Sequence, residues 1–375
     1  MKRTLQIQTI FLIAILLLPL IALPAIPEVR VAEASTGWLS GWNYRKSHVI
    51  QQTAGADTNY QVKIVVHYGS GTDYNDNSAR TPEGHVYVNG KSRADFQDIR
   101  FTASDGETEL DYWFQNEETA ESDGYGIFWV EIADDLSSSD GTIYIYYGNS
   151  GASTTSNGTN TFIRFCDFDL GSLPSWLSGW SGKVTPQFYS DIKIGTYSYG
   201  KKYISGTTTS VDERWYGIIV NLPSNSYQKI RLLAHHYAEH YQGNWHQHIY
   251  VNDTIYEDYY NNNYGSTYPL QSGWDFYIYK VSYGTPYTQV KLSFHKDHSA
   301  FGRNYPTIIL DNVCVAKYTD PEPQHGSWGA EETSISIGSF QAPSNVRADT
   351  YFLLNATITA HAGVSTFTNA TLELE

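Results

Sequence analysis

The chain has 375 residues, 39 of them acidic and 24 basic, for a formal net charge of -15. That balance argues against binding to nucleic acid or to anionic membrane surfaces, both of which call for a basic face. With 31 tyrosines, one methionine and two cysteines, the composition is that of an all-β protein, whose half-buried pleats favour tyrosine and β-branched side chains.

Lys2 and Arg3 precede an apolar run from Ile10 to Ile26, and Ala32-Glu33-Ala34 forms an A-x-A cleavage site. This predicts a signal peptide over residues 1–34 and a mature start at Ser35. An uncleaved membrane anchor is the alternative; Pro19 and Pro24 interrupt the run and weigh against it. No cysteine follows the run, as a lipoprotein requires, and no later run is long enough to span a bilayer. The expected location is extracellular or at the cell surface. Sequons at Asn157, Asn252, Asn355 and Asn369 allow glycosylation in a host with that machinery.

The next segment, 35–150, alternates in stretches such as "YQVKIVVHY", "HVYVNG", "GIFWVEI" and "TIYIYYGNS", each bounded by turn residues, and predicts a β-sandwich. "SDGETELDYW" reads as a hairpin turning at Asp105-Gly106. Trp42, Trp113 and Trp129 read as core aromatics. "GWNYRK", "YQVKIVV", "DIRFTASDGETELDYW" and "TIYIYYGNS" together resemble the family called domain of unknown function 2341. The resemblance implies an exported, multi-domain surface protein with a jelly-roll neighbour; it implies no activity. Residues 151–161, "GASTTSNGTNT", read as a linker by composition. "WLSGW" at 38–42 and 176–180 is followed by unrelated residues and reads as coincidence rather than duplication.

Residues 162–332 are expected to form a second sandwich, jelly-roll-like. "FCDFDLGSLPSWLSGWSG", "GWDFYIYKVSYG", "QVKLSFHKD" and "TIILDNVCVAKY" resemble the opening and closing strands of galactose-binding-like carbohydrate-binding modules. A concanavalin-like jelly roll, including the laminin-G type, is the rival. The module resemblance implies a structural calcium on Asp169 and Asp311, with Asp167 beside them; ordinary strand-end aspartates are the alternative. Cys166 and Cys314 fall in the first and last strands, which neighbour one another in a jelly roll. A disulfide there would close a loop of 314 − 166 = 148 residues, worth ~5 kcal/mol by chain entropy. Two buried free thiols are the alternative.

"LLAHHYAEHYQGNWHQH", 232–248, holds five histidines. His236-Tyr237-Ala238-Glu239-His240 matches the H-x-x-E-H zinc-protease pattern, which requires a helix, a third ligand and a cleft. Gly243-Asn244 instead predicts a hairpin turn. Glu239 would then face His248, and Tyr237 would face Tyr250. Tyr237, Glu239, Tyr241, His246, His248 and Tyr250 would gather on one side as a glycan patch of rings and hydrogen-bonding tips. Glu239, His246 and His248 could hold a transition metal instead, and a solvated polar face is the third reading. No catalytic constellation emerges; the adjacent Glu257 and Asp258 would point to opposite faces of a strand.

The tail, 333–375, reads as a linker and the start of a further β domain, with strands at Phe352–Ile358 and Phe367–Leu374 around an "AHAG" turn. It resembles the opening strands of an immunoglobulin-like repeat, cut short. The functional expectation is an exported, non-enzymatic protein acting in glycan binding, adhesion or envelope structure. Its partners would be polysaccharide or cell-surface glycan and envelope or surface-layer proteins. A secreted carbohydrate-active enzyme, or a fragment of one, is the alternative.

Overall fold

The computed structural model describes residues 37–181, 187–189, 198–201, 215–224, 227–239, 245–261, 275–296, 307–341 and 355–360, all within one compact unit, Gly37–Ala362. The chain is all-β, built as two sandwiches and a short tail hairpin. No helix among the described residues is long and apolar enough to cross a membrane.

The first sandwich begins with eight strands: β1 (Tyr44–Ile50), β2 (Tyr60–His67), β3 (Tyr74–Asp76), β4 (Glu83–Tyr87), β5 (Arg100–Thr102), β6 (Tyr112–Phe114), β7 (Tyr125–Ile132) and β8 (Gly141–Tyr147). One sheet joins β1, β8 and β5; the other runs in the order β3-β4-β2-β7-β6. Period-2 alternation turns Ile143, Ile145 and Tyr147 inward against Val62, Ile64, Val66, Phe128 and Val130.

Among the described residues the second sandwich contributes eleven strands. They are β9 (Arg164–Cys166), β10 (Leu177–Ser181), β11 (Gln187–Tyr189), β12 (Ser198–Lys201), β13 (Trp215–Asn221), β14 (Lys229–Glu239), β15 (Trp245–Val251), β16 (Thr254–Asn261), β17 (Asp275–Ser282), β18 (Gln289–Lys296) and β19 (Thr307–Lys317). One sheet runs β10-β13-β18-β15-β16 and the other β11-β12-β19-β14-β17, with β9 also on β19. Ile218, Val220, Ile249 and Leu292 of the first meet Ile230, Leu232, Ala234, Val281 and Val315 of the second.

The chain then returns. β20 (His325–Trp328) and β21 (Glu332–Thr333) both pair with β1. The second sandwich is thus inserted between β8 and β20 of the first, and the boundary expected at 332 is corrected: residues 325–333 belong to the first sandwich. A four-residue strand carries too little alternation to reveal its partner. The expected linker at 151–161 is also corrected, because the segment is docked. Asn157 N–H donates to Tyr112 O at 2.8 Å, and Phe114 N–H donates to Ser156 Oγ at 2.9 Å, which covers the edge of β6. In the tail, β22 (Ile335–Gln341) pairs with β23 (Asn355–Ala360). The expected linker thus supplies the partner that was sought at 367–374, which lies outside the described residues.

The sandwiches meet through the outer faces of β6-β7-β2 and β14-β19-β17. Trp113, Trp129 and Phe162 pack there on Leu233, Cys314 and Ala316. Both tryptophans are therefore buried between the sandwiches rather than inside the first. Beside them, Arg231 is fully buried. Its guanidinium donates to Glu322 at 2.9 Å, to Lys317 O at 2.8 Å and to Gln61 O, and it lies over the rings of Tyr60 and Trp129. Lys280 meets the other carboxylate oxygen of Glu322. Removing the guanidinium takes one of the two cations from the buried Glu322 carboxylate and a donor from Lys317 O and Gln61 O, so Arg231→Ala should cost about 3 kcal/mol. Chemical denaturation measures the loss, and a variant as stable as the parent would contradict this packing.

The disulfide expectation is overturned. β9 and β19 are neighbours, but Cys166 lies opposite Val313 and Cys314 opposite Phe165. One step of register sends the thiols to opposite faces: Cys166 enters the second sandwich's core and Cys314 the contact between sandwiches. Both are free and buried, and burial pushes the Cys166 thiol up to about 12. Alkylation of folded protein should leave both thiols unmodified, and denaturant should release two. A reductant-sensitive melting temperature would show otherwise.

Candidate functional site

The predicted patch does not assemble. β14 pairs with β17 and β19, whereas β15 pairs with β16 and β18, so the expected β14–β15 hairpin is absent and its two strands lie in opposite sheets. Tyr237 and Glu239 lie opposite Ile309 and Thr307, while His246 and His248 lie opposite His295 and Ser293. His248 and Tyr250 do remain neighbours, with ring centroids 5.7 Å apart. Tyr241 and His240 lie outside the described residues. Because Lys229–Glu239 is a strand, the protease pattern has no helix to stand on. Burial, with His235 adding to it, holds His236 down to about 3; its Nε2 meets Tyr279 OH at 2.8 Å and its ring stacks on Tyr277.

Among the described residues no three His, Cys, Asp or Glu side chains come together as a metal-holding group, so Asp167, Asp169 and Asp311 do not gather as one. Asp167 Oδ1 instead accepts from Asp169 N–H at 3.2 Å, and Asp311 Oδ1 from Asn312 N–H at 2.8 Å. Of the sequons, Asn157 is exposed at the head of a helical turn and Asn252 is exposed in the β15–β16 turn. Asn355 begins β23, and Asn369 lies outside the described residues.

A different face gathers aromatic and polar side chains. On the outer side of β3-β4-β2-β7, the register aligns Tyr74 with His85, His85 with Val65, and Tyr87 with His67 and Tyr125. Two residues along β7 from Ile127 comes Trp129, where the second sandwich covers the sheet. The end bearing Tyr125 and Tyr74 is open; they are 37% and 46% exposed.

His67 Nε2 and His85 Nδ1 lie 3.0 Å apart with their rings nearly coplanar, 19° apart, so the imidazoles meet edge to edge. Tyr74 stacks on His85 at 4.2 Å and Tyr87 on His67 at 4.5 Å. The contact holds one proton between the rings, donated by either imidazole according to its tautomer. Burial and the neighbouring His85 lower the His67 pKa. Beside the pair, Lys63 binds Glu83 at 2.7 Å, and Glu83 lies 3.5 Å from His85 Nε2. Burial opposes the Glu83 charge, but His85 and the Lys63 ammonium more than offset it and hold the carboxyl at about 2.

A second imidazole pair lies behind β4. His48 Nε2 and His325 Nδ1 are 2.8 Å apart, and Trp328 stacks on His48 at 3.6 Å. Gly84 permits this approach, since a Cβ there would sit 2.6 Å from His325 Nδ1. Burial, with His325 adding to it, holds His48 well below its ordinary value, and burial holds His325 at about 4. Between pH 6.5 and about 4 the unfolded chain therefore binds more protons than the folded one, and stability falls as pH falls. For His325 alone this is on the order of 3 kcal/mol. Melting temperatures should drop through that window, and His325→Gln should flatten the dependence. An unchanged slope would contradict the burial of this pair.

No part of this face was singled out by sequence reasoning. The signal was present: Lys63, Val65 and His67, like Glu83, His85 and Tyr87, recur at every second position of their strands.

Residues 95–182 match the family model described as domain of unknown function 2341, spanning the later strands of the first sandwich and the first strands of the second. No curated protein matches the chain. Among solved structures, it is similar to the N-terminal CBM22-1–CBM22-2 tandem of Xyn10C from Paenibacillus barcinonensis, with 10% identity, 75% of this chain and 80% of that chain covered, and a TM-score of 0.30. The tandem CBM51 modules of a family 98 glycoside hydrolase from Streptococcus pneumoniae give 9% identity, 74% and 78% coverage, and a TM-score of 0.22. Dimeric latent PorU from Porphyromonas gingivalis gives 9% identity, 76% and 25% coverage, and a TM-score of 0.22.

Proposed function

We propose that this chain is an exported, non-catalytic glycan-binding protein of the cell surface or its surroundings, and that the open end of the β3-β4-β2-β7 face is its binding surface. One observation carries the reading: two exposed tyrosines, Tyr74 and Tyr125, flank a hydrogen-bonded imidazole pair on a sheet face that the second sandwich leaves uncovered. Sugar C–H faces pack on aromatic rings, while hydroxyls pair with imidazole and phenol edges. Export rests on the N-terminal apolar run and the A-x-A site.

A second reading, a secreted carbohydrate-active enzyme, has one observation in its favour. Burial raises Glu131 to about 7 against a hydrogen bond from Gln61, and the Asp111 charge adds to the rise. A carboxyl kept protonated near neutrality can serve as a general acid. Titration calorimetry against a glycan panel tests the first reading. Replacing both Tyr74 and Tyr125 with Ala should weaken binding about tenfold or more at an unchanged melting temperature. Binding that is absent in the parent, or unaltered in the variant, would sink it. Release of reducing ends that Glu131→Gln abolishes would establish the enzyme instead.

A further inference from the structure

We infer that the ligand of this face is a neutral, extended oligosaccharide engaged along its length rather than an anionic glycan or a chain end; this rests on the glycan-binding reading above.

Charge is the first argument. An anionic sugar is held by a guanidinium or ammonium free to pair with it. On this face Lys63 is already bound to Glu83 at 2.7 Å. The nearest lysine of β1, Lys46, points inward and binds Asp73 at 2.7 Å. Lys91 is bound to Glu331. The ring nitrogens of His85 already face His67 and Glu83. Over the whole chain the formal charge of -15 repels a polyanion at long range.

Extent is the second argument. Tyr74 on β3 and Tyr125 on β7 stand three strand spacings apart, about 14 Å across the sheet, a span that a single sugar ring cannot bridge and an extended chain of them can. The two exposed rings are platforms at the ends. Between them lie the half-buried rings of His67 and Tyr87, stacked at 4.5 Å, which continue the aromatic surface from one platform to the other.

Shape is the third. β3 is the edge strand of its sheet, so a chain crossing Tyr74 runs on past the edge. A surface of this kind grips internal segments, and affinity grows with each ring that reaches a further contact.

Calorimetry on the full chain, with neutral glucose oligosaccharides of increasing length, reads the inference directly. Affinity should rise about tenfold or more from two rings to about four and then level off. It should change little between low and high salt, because no ion pair is formed. Tyr74→Ala should shorten the ladder, levelling it off one ring earlier. Preference for polygalacturonate or sialylated oligosaccharides, with affinity falling as salt rises, would overturn the inference and leave glycan binding standing. Tightest binding to a single terminal sugar, with no gain from length, would do the same. Failure of every neutral and acidic probe to bind would remove the underlying reading as well.

Discussion

The buried Arg231–Glu322 pair is the contact on which the arrangement depends. It joins three stretches of chain: Arg231 lies on β14 of the second sandwich, its guanidinium reaches Gln61 O of the first, and Glu322 begins the return segment. Taking both charges out of water is costly, and geometry must repay it. Here the guanidinium donates to Glu322, Lys317 O and Gln61 O and lies over two rings. The carboxylate is further met by Lys280 and Tyr60. An apolar contact could slide; this one fixes which part of the β6-β7-β2 face is covered. The covered part holds Trp113 and Trp129, and what remains open is the aromatic and imidazole surface. The candidate site is thus bounded by where the second sandwich stops.

Strand identity was legible in the sequence because period 2 is a local property. β2, β4, β7 and β8 stand where alternation puts them, and the all-β class follows from the same pattern. Strand partnership was not legible, because it is a property of the whole topology. Gly243-Asn244 has the chemistry of a hairpin turn, yet β14 and β15 find partners up to 317 − 230 = 87 residues away in sequence, Glu239 lying opposite Thr307 being one end of that ladder and Ile230 opposite Lys317 the other. The cysteines show the same divide at finer scale. Their strands were rightly placed side by side, but the register between them, which no local pattern encodes, turns the thiols to opposite faces.

Histidine placement follows a similar logic. The five histidines of 232–248 draw attention by proximity in sequence, yet His236 is spent on Tyr279 and Tyr277 in a buried setting. Among the described residues, imidazoles hydrogen-bond in pairs at His67 with His85 and at His48 with His325, the latter separated by 277 positions. Nothing in a one-dimensional reading brings position 325 to position 48, because an entire sandwich lies between them.

That return also connects the hidden imidazole pair to the open one. β20 is held to β1 by the His48–His325 contact and the Trp328 stack. From there it grips β3: Asn75 Nδ2 donates to His325 O at 3.0 Å and to Gly326 O at 2.6 Å, and Trp328 Nε1 donates to Asn75 Oδ1 at 2.8 Å. Asn77 Oδ1 accepts from His325 N–H at 2.9 Å. A three-residue edge strand has little pairing of its own to hold it. Its first residue is Tyr74, whose ring stands on His85 at the open end of the face. The platform at one end of the surface is therefore set by residues that enter the first sandwich only after the second has been traversed. Loss of the buried pair would loosen β3, and the exposed tyrosine with it, before it disturbed the apolar core beneath.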